Sequence, residues 1–132
     1  MRVLIATCTA LATAAAVVAG CQTQQAAAPP AAPSAAAPIE FRVVPERNPA
    51  GCTRFDAALS RVHTFQGSGN TASVSSAGGI TSNMTATSPG VYTTDFSLGA
   101  TTLRVVANTT TSPKSLTVTE PRLGCRWSAV AP

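Results

Sequence analysis

The chain is poor in charge, in aromatic rings and in histidine, and each shortage closes off a class of function. Only 11 % of its 132 residues are charged and 5 % are aromatic, where about a quarter charged is ordinary for a globular chain. A single histidine, His63, stands in the whole sequence, so a metal centre drawn from His and Cys has too few ligands to work with. Length is short too: 132 residues accommodate one domain. That excludes a large multidomain enzyme, a multispanning transporter and a two-domain cofactor-binding fold.

What is present begins with an export signal. Met1-Arg2 is a short basic start, Val3–Ala19 runs without a charge, and Gly20-Cys21 follows. A charged start, an apolar stretch and small residues before a cut site predict a secretory signal over residues 1–20. The stretch is rich in Ala and Thr, which makes a retained membrane-spanning helix the lesser reading. The tetrapeptide Val18-Ala19-Gly20-Cys21 resembles the lipobox of bacterial lipoproteins. That resemblance implies that the Cys21 thiol carries a diacylglycerol and that cleavage falls just before it. Two or three acyl chains make anchoring effectively permanent, at about 0.8 kcal/mol per buried methylene. By the same resemblance, Gln22 in place of Asp implies sorting to the outer membrane; a periplasm-facing position is the expected location. An ordinary secretory signal with an incidental cysteine is the alternative.

Residues 21–38 form the lipidated N-terminus and a linker. Positions 22–38 contain eight Ala, four Pro and no charge. Proline blocks a continuous helix and favours extended chain, so this segment reads as a tether of up to about 50 Å. The remaining 94 residues, 39–132, are the domain. Eight Lys/Arg against five Asp/Glu give it a net charge of +3. The basic residues are spread along the chain, whereas a nucleic-acid surface groups them on one element. No nucleic-acid partner is expected.

Ser and Thr supply 26 of those 94 residues, with glycines punctuating them, a pattern of short strands and tight turns. Val91–Leu98 alternates, setting Tyr92, Thr94, Phe96 and Leu98 on one face, and Leu103, Val105 and Ala107 do the same in the next segment. Leu116–Glu120 and Cys125–Val130 continue the series; Ile39–Val44 and Thr71–Ser75 are weaker strand candidates. One stretch, TRFDAALSRVHTF from Thr53, carries apolar residues at helical spacing and predicts a short helix near 54–62, although Arg61–Phe65 also fits a strand. The predicted class is mainly β: a small antiparallel sandwich or barrel-like domain with at most one short helix.

Cys8 falls in the signal and Cys21 at the lipid site, which leaves Cys52 and Cys125. In an exported domain a disulfide between them is the default. Chemistry is harder to find. Asp56, Ser60 and His63 share a helical face, but a relay needs the imidazole between the other two and an oxyanion site opposite. The carboxylates Asp56, Asp95 and Glu120 are isolated in sequence. Gly67-Ser68-Gly69 lacks the lysine and flanking elements of a phosphate loop. Trp127, with Arg126 and Tyr92, is the candidate ligand surface, against core packing as the blander reading for the tryptophan.

These features predict a lipid-anchored envelope protein without catalytic residues or cofactor, acting as a structural or protein-interaction module. Its expected partners are the membrane, through Cys21, and another envelope protein. The alternative is a ligand-binding module or an inhibitor of an envelope enzyme. A small hydrolase using His63, Asp56 and Asp95 is the remaining one.

Overall fold

The computed structural model describes residues 36–132; the signal segment, Cys21 and most of the Ala/Pro linker lie outside the described residues. Two short strands, β1 (Ile39–Arg42) and β2 (Val44–Pro45), are halves of one bent strand. A 3-10 turn (Ala50–Cys52) leads into the helix α1 (Thr53–Leu59). Seven strands follow: β3 (Val62–Ser68), β4 (Thr71–Ser76), β5 (Thr81–Ser88), β6 (Val91–Leu98), β7 (Thr101–Asn108), β8 (Lys114–Glu120) and β9 (Cys125–Ala131). All pairings are antiparallel, in the order β1-β3-β4-β5-β6-β7-β8-β9-β2.

The bend at Val43 turns that sheet into a nearly closed barrel. On one side Phe41 pairs with His63, and the Val43 amide donates to the Arg61 carbonyl at 3.0 Å. One residue later Val44 pairs with Ser128 and Pro45 with Trp127, and the Glu46 amide donates to the Arg126 carbonyl at 3.0 Å. A single strand thus serves both edges of the sheet, which covers backbone groups that an open edge would expose.

Strand periodicity decides what fills the barrel. Along β9, Cys125, Trp127, Ala129 and Ala131 are buried while Arg126 and Val130 are exposed. Leu103, Val105 and Ala107 are buried in β7, and Leu116 and Val118 in β8. The face predicted for β6 packs inward as well, with Tyr92 buried and Phe96 and Leu98 half-buried against the core. Outward positions of β4 and β5 are Thr71, Ser73, Ser75, Thr81, Asn83, Thr85 and Thr87. A polar exterior around an apolar filling inverts the pattern of a membrane-spanning barrel. Threonine suits such positions because its branched Cβ fits a pleated, half-solvated surface.

The up-and-down path gives the barrel two distinct ends. Ile39 and the turns at 69–70, 89–90 and 109–113 lie at one, here the entry end. At the other, the helix end, sit α1 and the turns at 77–80, 99–100 and 121–124. Gly90 shows how tightly the entry end is built: its φ is +73°, and a Cβ there would meet Thr110 Cγ2 at 2.5 Å.

At the helix end α1 is held by three fastenings. A disulfide joins Cys52 to Cys125. Phe55 and Leu59 are buried, Phe55 standing edge-on to Trp127 with ring centroids 6.1 Å apart. The Trp127 indole Nε1 donates to Asp56 Oδ1 at 2.8 Å. The helix predicted at 54–62 stops at Leu59, because Ser60 adopts φ −76°, ψ 63° and Val62 already pairs with Arg42. Helix and strand therefore divide the segment between them.

Candidate binding site

A cavity of about 50 Å³ opens at the helix end. It is set between the C-terminal turn of α1, the β4–β5 turn and the end of β6. Leu59, Ile80, Phe96, Leu98 and Val118 supply its apolar lining, with His63, Ser76 and Ser82 as the polar groups. Inward strand positions produce this list: His63 and Ser76 are direct cross-strand partners, and Val74 pairs with Ser82. Small hydroxyl side chains at Ser76 and Ser82, facing in where β7 and β8 carry Val and Leu, leave the space unfilled. Ile80 is 61 % exposed at the rim, a large apolar side chain held in solvent beside an apolar hollow.

His63 is 8 % exposed, and its Nε2 lies 2.9 Å from the Leu59 carbonyl. A carbonyl only accepts, so Nε2 carries the proton in that contact. The ring is oriented by a backbone group and not by a carboxylate. Asp56 is engaged with Trp127 and Ser60 is exposed, so the three residues on the predicted helical face make no relay.

The carboxylates are likewise distributed and individually committed. Asp95 faces outward from β6 in a two-pronged ion pair with Arg104, at 2.9 and 3.1 Å. That guanidinium hydrogen bond holds the Asp95 carboxyl below its ordinary pKa and raises that of Arg104 in return. Glu120 is 1 % exposed and accepts from the Arg122 amide at 3.2 Å and the Leu123 amide at 2.6 Å. It fixes the β8–β9 turn. No group of three or more His, Cys, Asp or Glu among the described residues is placed to hold a metal ion.

The structure does not bring Trp127, Arg126 and Tyr92 together on one surface, and Trp127 takes the core-packing place. Trp127 is fully buried at the helix end, and Tyr92 is buried against Phe65 at a centroid distance of 5.3 Å. Tyr92 also donates its hydroxyl to the Gly69 carbonyl at 2.9 Å, which belongs to the entry end. Arg126, one residue from Trp127, points to the opposite face and pairs with Glu46 at 3.0 Å. Alternation along β9 forbids Trp127 and Arg126 from sharing a surface. Of the candidate functional residues weighed from sequence only His63 reaches the cavity, although Phe96, Leu98 and Val105, expected as inward strand positions, line it too. Ile80 and Ser82 were not singled out, because nothing local marks a position as the rim of a barrel. Comparison with family models, with characterised proteins and with solved structures finds no match for the chain.

Proposed function

We propose that the protein is a non-enzymatic, lipid-anchored component of the bacterial cell envelope, attached through Cys21 to the outer membrane and facing the periplasm. Its barrel serves as a protein-interaction module whose recognition surface is the helix end. One observation carries the reading: an apolar rim and cavity at Ile80, Phe96 and Leu98 stand at the end of the barrel remote from Ile39, where the chain arrives from the tether. An anchored domain with a barrel end presented away from its attachment point is suited to meeting a partner.

Cavity size favours a protein partner over a free small ligand. Pockets for drug-sized molecules run about 300–1,000 Å³, and this one is about 50 Å³. At about 10–15 Å³ per water on this measure, it holds about 3–5 waters, roughly the bulk of one aliphatic side chain. The ligand-binding reading has its own support in the convergence of His63, Ser76 and Ser82 on an apolar hollow, and the same test separates the two.

The test is capture from solubilised envelope membranes with the full-length protein, beside Cys21→Ala and Ile80→Asp. The expected result is loss of palmitate labelling in Cys21→Ala with the partner retained, and loss of the partner in Ile80→Asp. A partner held equally by Ile80→Asp would remove the helix end from the proposal. Labelling that survives Cys21→Ala would remove the anchor.

A further inference from the structure

Resting on that reading of the helix end, we infer that its partner presents an acidic segment with one leucine-sized apolar side chain, which enters the cavity while carboxylates meet the arginines around it. Among the exposed arginines of this end are Arg54 and Arg61 at the two ends of α1 and Arg122 in the β8–β9 turn. Neither ion pair among the described residues uses them, since those pairs are Arg104 with Asp95 and Arg126 with Glu46. Of the acids at the same end, Asp56 turns to the Trp127 indole, Glu120 turns to the amides of its turn, and the exposed Glu46 is already paired with Arg126. What solvent meets is therefore cationic.

Arg61 places that charge at the cavity. Its Nε donates to the Ala57 carbonyl at 2.8 Å, tying the guanidinium back onto α1. Its Nη1 lies 3.3 Å from the position a Cβ would take on Gly78, in the turn that carries Ile80. The guanidinium thus bridges the last turn of α1 and the β4–β5 turn, along the rim whose apolar member is Ile80. A guanidinium with open donors beside an apolar hollow complements a carboxylate next to an aliphatic side chain. A long acyl chain is a poorer match, because a volume of about 50 Å³ stops after about 3–5 waters' worth of space.

Three labelled Gly/Ser peptides test this against the full-length protein in detergent micelles: one Leu flanked by Glu, one Leu flanked by Lys, and Ala flanked by Glu. Anisotropy reads affinity, and hydrogen exchange over residues 76–82 reads location. The expected result is binding of the Glu-Leu peptide with protection of 76–82, at least ten-fold tighter than the Lys-Leu peptide. Arg61→Gln should weaken it about three-fold, the scale of one exposed ion pair, and Arg61→Lys should restore most of the loss. Equal binding of both Leu peptides at the cavity would overturn the charge assignment and leave the proposed function standing. Equal binding of the Glu-Leu and Glu-Ala peptides would overturn the apolar anchor. Failure of every peptide to protect 76–82 would overturn the inference, and retention of the captured envelope protein by Ile80→Asp would then withdraw the reading beneath it.

Discussion

Reduction of the Cys52–Cys125 disulfide should remove a large part of the domain's stability. The bridge spans 73 residues of sequence, nearly the whole barrel. In the chain-entropy treatment a loop of that length contributes about 4.4 kcal/mol by restricting the unfolded chain. Domains of this size are stable by about 5–15 kcal/mol in all, so the bridge is comparable with the net total. Its position sharpens the expectation. Cys52 sits at the start of α1, and without the bond the helix keeps the burial of Phe55 and Leu59 and the hydrogen bonds Trp127–Asp56 and His63–Leu59. Urea unfolding with and without dithiothreitol tests this on unchanged side chains, avoiding the cavities that Cys→Ala would add at two fully buried positions. At a slope of about 1–1.5 kcal/mol/M, the midpoint should fall by about 3–4 M. A fall below about 0.5 M would mean that the reduced chain stays just as restricted, or that the bridge strains the native barrel, and would refute the chain-entropy reasoning.

Four further outcomes follow from the geometry. Asp56→Ala leaves the buried Trp127 Nε1 without its acceptor and should cost about 1–3 kcal/mol by urea unfolding, with Asp56→Asn near wild type because the amide oxygen still accepts. Gly90→Ala should lose more stability than Gly99→Ala, since both have positive φ but only Gly90 places a Cβ against Thr110 Cγ2 at 2.5 Å; equal melting temperatures would refute the clash. Ser82→Val fills the cavity from a strand position and should raise stability by about 1 kcal/mol while weakening partner capture, the pattern of a site and not of a packing fault. Asp95 should titrate below the usual carboxylate value by NMR and return to it in Arg104→Gln. A depressed folded-state pKa means the pair's small contribution is present above about pH 4 and is lost as pH falls through the folded value.

Most strands were legible because they carry their own evidence. Tyr92, Phe96 and Leu98 alternate within eight residues, and Leu103, Val105 and Ala107 repeat the pattern after a Gly turn, so burying one face of each follows directly. The disulfide was legible from the predicted export signal and from the count of cysteines. β5 was not: in TSNMTATS only Met84 is fully buried, and a strand with one anchor among seven small or polar residues resembles a loop in composition. The boundary at Ser60 was equally hidden, since Leu59 belongs to the helical spacing and His63 to the strand alternation, and only the pairing of Val62 with Arg42 assigns the residues between.

The cavity lay beyond sequence reasoning for a different reason, which also bears on what the domain does. Closure depends on Val43, a single residue whose two neighbours belong to opposite edges of the sheet. Nothing in IEFRVVPER announces that bend; it exists because Phe41 and Val43 both find room inside once β9 has come round to meet β2. Only after closure do Ser76 and Ser82 acquire a meaning, as two small side chains facing into a barrel end where Val and Leu would have filled the space. Stability alone would favour filling it, since each added buried methylene contributes about 0.8 kcal/mol and a valine at Ser82 suits a strand better than serine does. The same end leaves Ile80 in solvent and Arg54, Arg61 and Arg122 outside both ion pairs among the described residues. A hollow, an exposed apolar side chain and unpaired charge, gathered at the end of the barrel remote from Ile39, make sense together when a second molecule completes them.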